Sequence, residues 1–575
     1  MRRIYLSIIA LCLLALPCLH AVPAKPGPIK VTLPDGTVTT IYLHGDEFFH
    51  WMTDAKGSVV EWTPDSYLRP AILEEAEREA GRQQRQKSVA EQPSRAQRSV
   101  KGVQRIPVIL IQFQDKAFSI ENPQEAFDKL LNEEDYKVNG ATGSARDFYL
   151  ANSGNLYQPE FDVFAPVTAN ESYLLTQPDG TDESYSTKAS RILRNALKQL
   201  DPSVDYSVYD NDNDGQIDMV LMYYAGYSQA EGAPHTIWPH QTTSGLNITL
   251  DGVVARRHFC TAELRGVTGI TQCGIGPTVH EFGHALGLPD FYDADYATNG
   301  QCHAMARYST MASGSYLNDS RTPPYFTHIE REMLGWAQTP SYITQAGPVT
   351  IPGFGPDDAR LIATTMDGEV FYLECRAKAE WDFYLPSHGL LVYHVDQSNR
   401  RLTNVTCKYR WDYWTYYNDL NDYANHPLCY VVTAQDQTNL NYTIYDQRTF
   451  PGPWNVTSYH PLDWNGENTD YLLENIAFAN SVVTFQVKEL STNLAQMGFN
   501  SIDDPNKGSY KAGDKFYFNL LEAEEHKPVS VSWFYDGSAA PKSATLTAGT
   551  HLIQAILGYD DGSKETLELE INVTK

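Results

Sequence analysis

The sequence predicts a multidomain α+β protein, and three observations carry that expectation. Its 575 residues exceed what one hydrophobic core organises, since single cores stop growing at roughly 250–300 residues. In the middle of the chain, apolar runs of strand length alternate with helical spacings, and one helical stretch reads His280-Glu281-Phe282-Gly283-His284. Past residue 341 the helical spacings cease and short alternating runs recur to the end, the pattern of all-β domains. The organisation expected is a leader over 1–24, a small folded segment with a basic linker over 25–105, and a central domain carrying the motif over 106–340. A β-rich domain over 341–490 and an immunoglobulin-like β-sandwich over 491–575 complete it.

Arg2 and Arg3 precede an apolar run from Ile4 to Leu16, which reads as a secretory signal peptide cleaved after about Ala21 or Ala24. The run is shorter than the roughly 20 residues a membrane span needs, so the chain is expected to be secreted or held at the cell surface. A formal charge of −27 repels phosphate and excludes nucleic acid as a partner. Cys12 and Cys18 fall in the leader, leaving Cys260, Cys273, Cys302, Cys375, Cys407 and Cys429. None forms a CxxC pair, which argues against a cysteine–zinc site. An even count in an exported chain permits disulfides, with Cys260–Cys273 and Cys407–Cys429 the local pairings.

Residues 25 to about 70 alternate around a Pro34-Asp35-Gly36 turn, as a small β unit does. Arg82 to Arg105 then carries seven basic residues and almost no large apolar ones, the composition of an exposed linker open to cleavage after Arg or Lys. Ile106 to Phe113 is a continuous apolar run expected to start a buried sheet. Helices are expected around Pro123–Asn132, from Ser144 as N-cap with Asp147 three residues on, and over Ser190–Leu200 with its one-sided apolar face. A strand is expected over Phe161–Val167.

Asp210-Asn-Asp212-Asn-Asp214-Gly215-Gln-Ile-Asp218 matches the first part of an EF-hand loop, with Leu221 where the last ligand belongs. Asp210, Asp212, Asp214 and Asp218 are therefore candidate calcium ligands in a turn that stiffens the entry to the strand Met219–Tyr224. After that strand comes Ile237-Trp238-Pro239-His240, with Trp238 and His240 read as structural.

The motif carries the chemistry. Two histidines four apart lie on one helical face about 6 Å from each other, close enough to share a metal ion. Glu281 points to a neighbouring face, where it can hold the water that the metal polarises. Gly287 ends the helix and lets the chain turn back, bringing Asp290 round as third ligand. Glu330, in a helix expected over Pro324–Trp336, is its rival. Tyr308–Ser315 is a small-residue turn around Met311, suited to flooring the site. A folded segment and a cleavable linker ahead of such a site read as a propeptide. No cysteine follows Cys18 in that segment, so Asp46, Glu47 or His50 would cap the metal.

At this point a resemblance is plain. Gly143-Ser-Ala-Arg-Asp-Phe-Tyr149, the DNDNDG turn, IWPH, HEFGHALGLPDFYD, the Met311 turn and PYFTHIEREMLGW resemble the catalytic domain of the immune inhibitor A family of secreted zinc metallopeptidases, relatives of the metzincins. The PDGT and GDEFFHW strings resemble that family's propeptide, and residues 381–396 its following β-domain. The resemblance implies a metzincin-like fold over the central domain, zinc on His280, His284 and Asp290, Glu281 as general base, Met311 as the Met-turn residue, and a calcium site near Asp210–Asp218. Ser313 stands where many metzincins have a tyrosine, which leaves Tyr316 as an open alternative.

In the C-terminal third, strands are expected at Val370–Leu373, Gly389–Val395, Tyr430–Thr433 and Ser481–Val487, and then at five runs between Lys515 and Val573 with Asp-Gly turns. Tyr409–Tyr417 is unusually aromatic and reads as buried packing or as a surface for sugar or protein. The function expected is a secreted zinc-dependent endopeptidase made as a zymogen, acting on proteins or peptides through a zinc-activated water. The rival is a catalytically inactive peptidase-like surface adhesin using its C-terminal β-domains.

Overall fold

The computed structural model describes residues 19–20, 22–46, 48–90, 100–177, 181–243, 245–294, 302, 304–364, 366, 368–398, 414, 420–424, 426–435, 448–464, 469, 471–489, 496–500, 510–513, 515–521, 529–539, 543–558 and 564–575. It divides into two compact units, Met1–Thr469 with Leu473–Gln486, and Asp470–Leu472 with Val487–Lys575.

The N-terminal part begins with a two-residue strand, β1 (Leu19–His20), and continues as a five-stranded antiparallel sheet in sequential order. Its strands are β2 (Pro28–Thr32), β3 (Val38–Gly45), β4 (His50–Asp54), β5 (Val59–Trp62) and β6 (Leu68–Pro70). The two-residue alternation of the sequence buries Ile29 and Val31 in β2 and Ile41 and Leu43 in β3 on one face. Helix α1 (Glu75–Ala90) follows. The basic linker is therefore shorter than expected: its first residues are helical and Arg105 already lies in a strand, where its guanidinium meets Asp162 at 2.7 Å.

The central domain is built on a seven-stranded sheet in the order β1-β12-β15-β11-β7-β8, with β9 also paired to β7. Strands β7 (Gly102–Phe113), β8 (Tyr157–Val163), β9 (Val167–Ala169), β11 (Val220–Tyr224) and β15 (His258–Ala262) are mutually parallel. β12 (His240–Thr242) runs antiparallel to β15, and β1 antiparallel to β12. Three short strands, β10 (Gln216–Ile217), β13 (Ile248–Leu250) and β14 (Val253–Ala255), form a small side sheet. The apolar run in β7 is buried on both faces. Val108 and Leu110 join a core with Phe127, Phe148 and Phe282, while Ile109 and Ile111 join another with Ile192, Leu193 and Leu197. Helices α2 (Pro123–Asn132), α3 (Ala145–Ser153) and α5 (Gly276–Leu286) supply the first core; α4 (Tyr185–Leu200) supplies the second.

The expected capping box opens α3: Ser144 Oγ accepts from the Asp147 amide at 3.1 Å, and Asp147 accepts from the Ser144 amide at 2.9 Å. α4 begins five residues earlier than its apolar face suggested. The helix expected over Pro324–Trp336 is only α6, His328–Met333. Glu330 reaches back to the Thr327 amide at 2.6 Å and fixes the start there, and Gly335, at φ 71°, ends it.

Residues 341–469 share the first unit. Ala359–Ala363, Glu369–Arg376, Gly389–Asp396 and Cys429–Val431 form a four-stranded antiparallel sheet, with a three-stranded one from Gly347–Pro352, Val482–Glu489 and Tyr471–Ala479. Buried ion pairs join this sheet to the central domain: Asp358 takes His328 at 2.7 Å and Arg331 at 2.5 Å. In the second unit, a three-stranded sheet and a five-stranded sheet contain four of the five expected strand runs, while the run expected at Thr545–Thr547 meets the strand Ser543–Thr545 only at its last residue, and Asp536-Gly537 makes a turn with both residues at positive φ. Of the Tyr409–Tyr417 run only Trp414 is among the described residues, and it is buried; Cys407 and Glu47 lie outside them. No helix among the described residues is long and apolar enough to cross a membrane.

Candidate active site

Helix α5 opens with Pro277 in its first turn and closes at Gly287, whose φ of 113° few other residues adopt. The Gly287 and Leu288 amides return to the Gly283 carbonyl at 3.1 and 3.0 Å, so the chain folds back under the helix and delivers Asp290 to the two histidines. His280 Nε2 and His284 Nε2 are 3.2 Å apart; Asp290 Oδ1 lies 3.4 Å from the first and 3.2 Å from the second. Zinc–nitrogen and zinc–oxygen bonds of about 2.0–2.1 Å in a tetrahedron require donor–donor edges of about 3.3–3.4 Å. The three atoms form such a face. Each histidine donates its Nδ1–H to a backbone carbonyl, His280 to Thr310 at 2.8 Å and His284 to Leu288 at 2.9 Å, which leaves both Nε2 lone pairs converging with a carboxylate. That donor set fits zinc. Burial pushes the His284 imidazole down, favouring the neutral form a metal needs.

Met311 floors this face. Its sulfur sits where a Cβ on Gly283 would stand, so the glycine inside the motif is the space the methionine fills. The Phe291 amide donates to the Met311 carbonyl at 2.9 Å, tying the Asp290 loop to the same turn.

Glu281 is fully buried. Its Oε1 accepts from the Val22 amide at 2.6 Å, and its buried Oε2 has no hydrogen-bond partner among the described residues. Burial pushes this carboxyl well above the ordinary range; the Val22 amide opposes the shift, Asp290 adds to it and the Gln241 amide opposes it. The Val22 contact belongs to a segment laid through the cleft. Leu19 and His20 pair with Thr242 and Gln241 on β12. The Val22 carbonyl accepts from the Trp238 indole at 3.1 Å, and the Pro23 carbonyl accepts from the Tyr316 hydroxyl at 2.7 Å.

Several expectations change. Glu330 is not beside the metal ligands but under the Met turn, where it accepts from Ser309 Oγ at 2.6 Å. Asp46 accepts from the Phe48 and Phe49 amides, and His50 packs on Trp238 at 4.6 Å between ring centres; neither is a metal cap, because the residues facing Glu281 come from the chain ahead of the sheet. His240 is structural, its Nδ1–H donating to the Trp238 carbonyl at 2.7 Å. Asp210, Asp212 and Asp214 bring carboxylate oxygens within 4.8 Å of one another, whereas Asp218 turns to the Asn211 amide at 2.9 Å. Cys260 and Cys273 are both free, as is Cys429, so the first expected disulfide is absent and Cys429 carries none. Sequence reading missed Val22, Ser309 and the Thr310 and Leu288 carbonyls.

A buried histidine pair and carboxylate on one helix and its return loop, beside a buried glutamate, form an HExxHxxGxxD arrangement that could hold a metal ion. Residues 100–338 match the family described as immune inhibitor A peptidase M6, catalytic domain. The match spans the central domain and supports the immune inhibitor A peptidase family for that part of the chain. Pre-pro-metalloprotease PrtV of Vibrio cholerae serotype O1 is 29% identical over 198 residues, covering 30% of this chain and 21% of that protein. Immune inhibitor A of Bacillus thuringiensis subsp. alesti is 25% identical over 216 residues, covering 33% and 31%. The chain thus spans a fifth to a third of the length of these relatives. The crystal structure of OgpA from Akkermansia muciniphila aligns with 84% of this chain and 97% of its own at 9% identity, with a TM-score of 0.22, too low to carry an argument.

Proposed function

We propose that the chain is a secreted zinc-dependent endopeptidase made as a zymogen. The observation that carries this reading is the closed triangle of His280 Nε2, His284 Nε2 and Asp290 Oδ1, with edges of 3.2–3.4 Å, beside the buried Glu281. Zinc held there supplies Lewis-acid polarisation of the scissile carbonyl and of a water. Glu281, ionised, takes the proton of the attacking water and passes it to the leaving amine. The peptide substrate lies along β12, where β1 now pairs, and the Tyr316 hydroxyl donates to a substrate carbonyl at the place taken by that of Pro23.

The same contacts support latency. Val22 and Pro23, which stay with the chain when the leader ends at Ala21, engage Glu281 and Tyr316, so the N-terminal part is a propeptide whose blocking element precedes its folded sheet. Calcium, on this reading, takes Asp210, Asp212 and Asp214 without Asp218. The adhesin alternative is not favoured, since ligands and base are all in place; the described C-terminal strands add nothing to the expectation of cell-surface or carbohydrate contact.

The test is zinc content and casein cleavage, with and without chelator, before and after removal of the N-terminal part. One bound zinc, latency in the full chain and chelator-sensitive cleavage after removal are expected. Glu281→Ala keeps the zinc and loses cleavage by at least about 10²-fold; cleavage by pure Glu281→Ala protein would refute the mechanism.

A further inference from the structure

We propose that Glu330 is a positioning residue of the metal centre, holding His280 in register through the Ser309 hydroxyl and the Thr310 carbonyl. The inference rests on the zinc reading above and deepens it.

Glu330 is completely buried in the first turn of α6, and both of its oxygens are committed. Oε2 accepts from the Thr327 amide at 2.6 Å and the Thr327 hydroxyl at 2.7 Å, the reciprocal half of a helix cap. Capping needs only that half. Oε1 reaches 21 residues back along the chain, accepting from Ser309 Oγ at 2.6 Å and facing the Met311 amide at 3.4 Å. Ser309 Oγ in turn accepts from the Met311 amide at 3.0 Å. The residues on either side of Thr310 are thus tied to one carboxylate oxygen.

Thr310 is pinned from its side chain as well, its hydroxyl donating to the Pro324 carbonyl at 2.8 Å on the segment leading into α6. What this clamp presents is the Thr310 carbonyl, which takes the His280 Nδ1–H at 2.8 Å. That bond selects the tautomer whose Nε2 lone pair points at Asp290 and His284, and partners of this kind control both the orientation and the basicity of a metal-bound imidazole. Burying a carboxylate is costly unless it is fully hydrogen-bonded. Glu330 meets that condition by joining the helix end to the turn beneath the metal. A residue first read as a competing ligand is the brace for a ligand 50 positions away.

The test uses the full-length protein, with zinc affinity measured by chelator competition and the visible spectrum of the cobalt(II)-substituted form as readouts. Glu330→Gln and Ser309→Ala are each expected to weaken zinc binding about 10- to 100-fold and to change the cobalt bands, with circular dichroism unaltered. Glu332→Gln is the control. Its carboxylate serves the same helix through Thr339 and Tyr372 and does not touch the turn, so both readouts should stay at the parent values. If Glu330→Gln fails to fold, Ser309→Ala, which removes one hydroxyl, carries the test. Parent-like affinity and spectrum in the folded variants would overturn the proposal, as would an equal loss in Glu332→Gln. A parent protein that binds no zinc at all would instead remove the metal-centre reading itself, and the brace with it.

Discussion

Tyr316 holds the Pro23 carbonyl at 2.7 Å, and its hydroxyl is kept protonated because burial pushes its titration well above the ordinary tyrosine value. A protonated donor in that place can also stabilise a carbonyl oxygen that gains charge. Tyr316→Phe should therefore lower kcat on the order of 10²-fold with zinc content unchanged, measured on protein freed of its N-terminal part; an unchanged kcat would leave Tyr316 as an anchor for the blocking segment alone. Gly283→Ala sets a Cβ against the Met311 sulfur. Overpacking of this kind costs about 1–3 kcal/mol, to be read from the denaturant midpoint. The convergence of His280, His284 and Asp290 was legible at this scale because a helix has a fixed period: four residues apart means one face, and Gly287 announces the turn that brings in Asp290. The braces were not. Thr310, Leu288 and Val22 act through backbone groups that every residue carries, and Glu330 sits in a helix whose distance from the metal no spacing reveals.

Among elements, the long apolar strand β7, helix α4 and C-terminal strands such as Glu369–Arg376, Gly389–Asp396 and Gly549–Gly558 announced themselves by pattern, since burial on one face or two dictates periodicity. β1 did not, being two residues long and stabilised only by its partner β12. The docking of the β2–β6 sheet carries its own pH dependence. His50 donates its Nδ1–H to the Asp46 carbonyl at 3.2 Å, while its Nε2 accepts from the Gln229 amide at 3.0 Å, against the Trp238 ring. Protonation would set two donors face to face. Burial pushes this imidazole down to about 4, opposed by the Asp46 carbonyl and Asp182, whereas a histidine in water titrates near 6.5. The docked state thus binds fewer protons between those values, so docking is strongest above about pH 6.5 and weakens progressively as pH falls to about 4. Stopped-flow or gel-filtration measurement of fragment release across that range should show the trend, and His50→Gln should flatten it.

The molecule as a whole shares a core across its proposed processing site. Val22, Ala24, Ile29, Val31, Ile41, Leu43 and Met52 pack with Ala230 and Trp238 of the central domain, and Lys25 meets Glu231 at 2.6 Å. Cutting the basic linker between Arg82 and Arg98 leaves all of these contacts in place. A trypsin-nicked protein at neutral pH should therefore elute as one particle and stay latent, gaining activity only when the N-terminal fragment is removed or cut again. Immediate activity on nicking would show that the linker itself maintains the block. Composition and motif order gave no sign that residues 341–469 would fall in one unit with the central domain; that depends on buried pairs such as Asp358 with His328 and Arg331, which only the tertiary fold brings together.

The five cysteines among the described residues are all free and buried, which bears on the conditions their packing tolerates. Burial pushes the Cys302 and Cys375 thiols up to about 12 and raises those of Cys260, Cys273 and Cys429 as well, so almost none is thiolate at neutral pH, and it is the thiolate that reacts. These positions hold their packing with sulfur as a small hydrophobe rather than as a crosslink. At these five positions the packing asks nothing of an oxidant or a disulfide isomerase, and it withstands reducing surroundings as readily as oxidising ones.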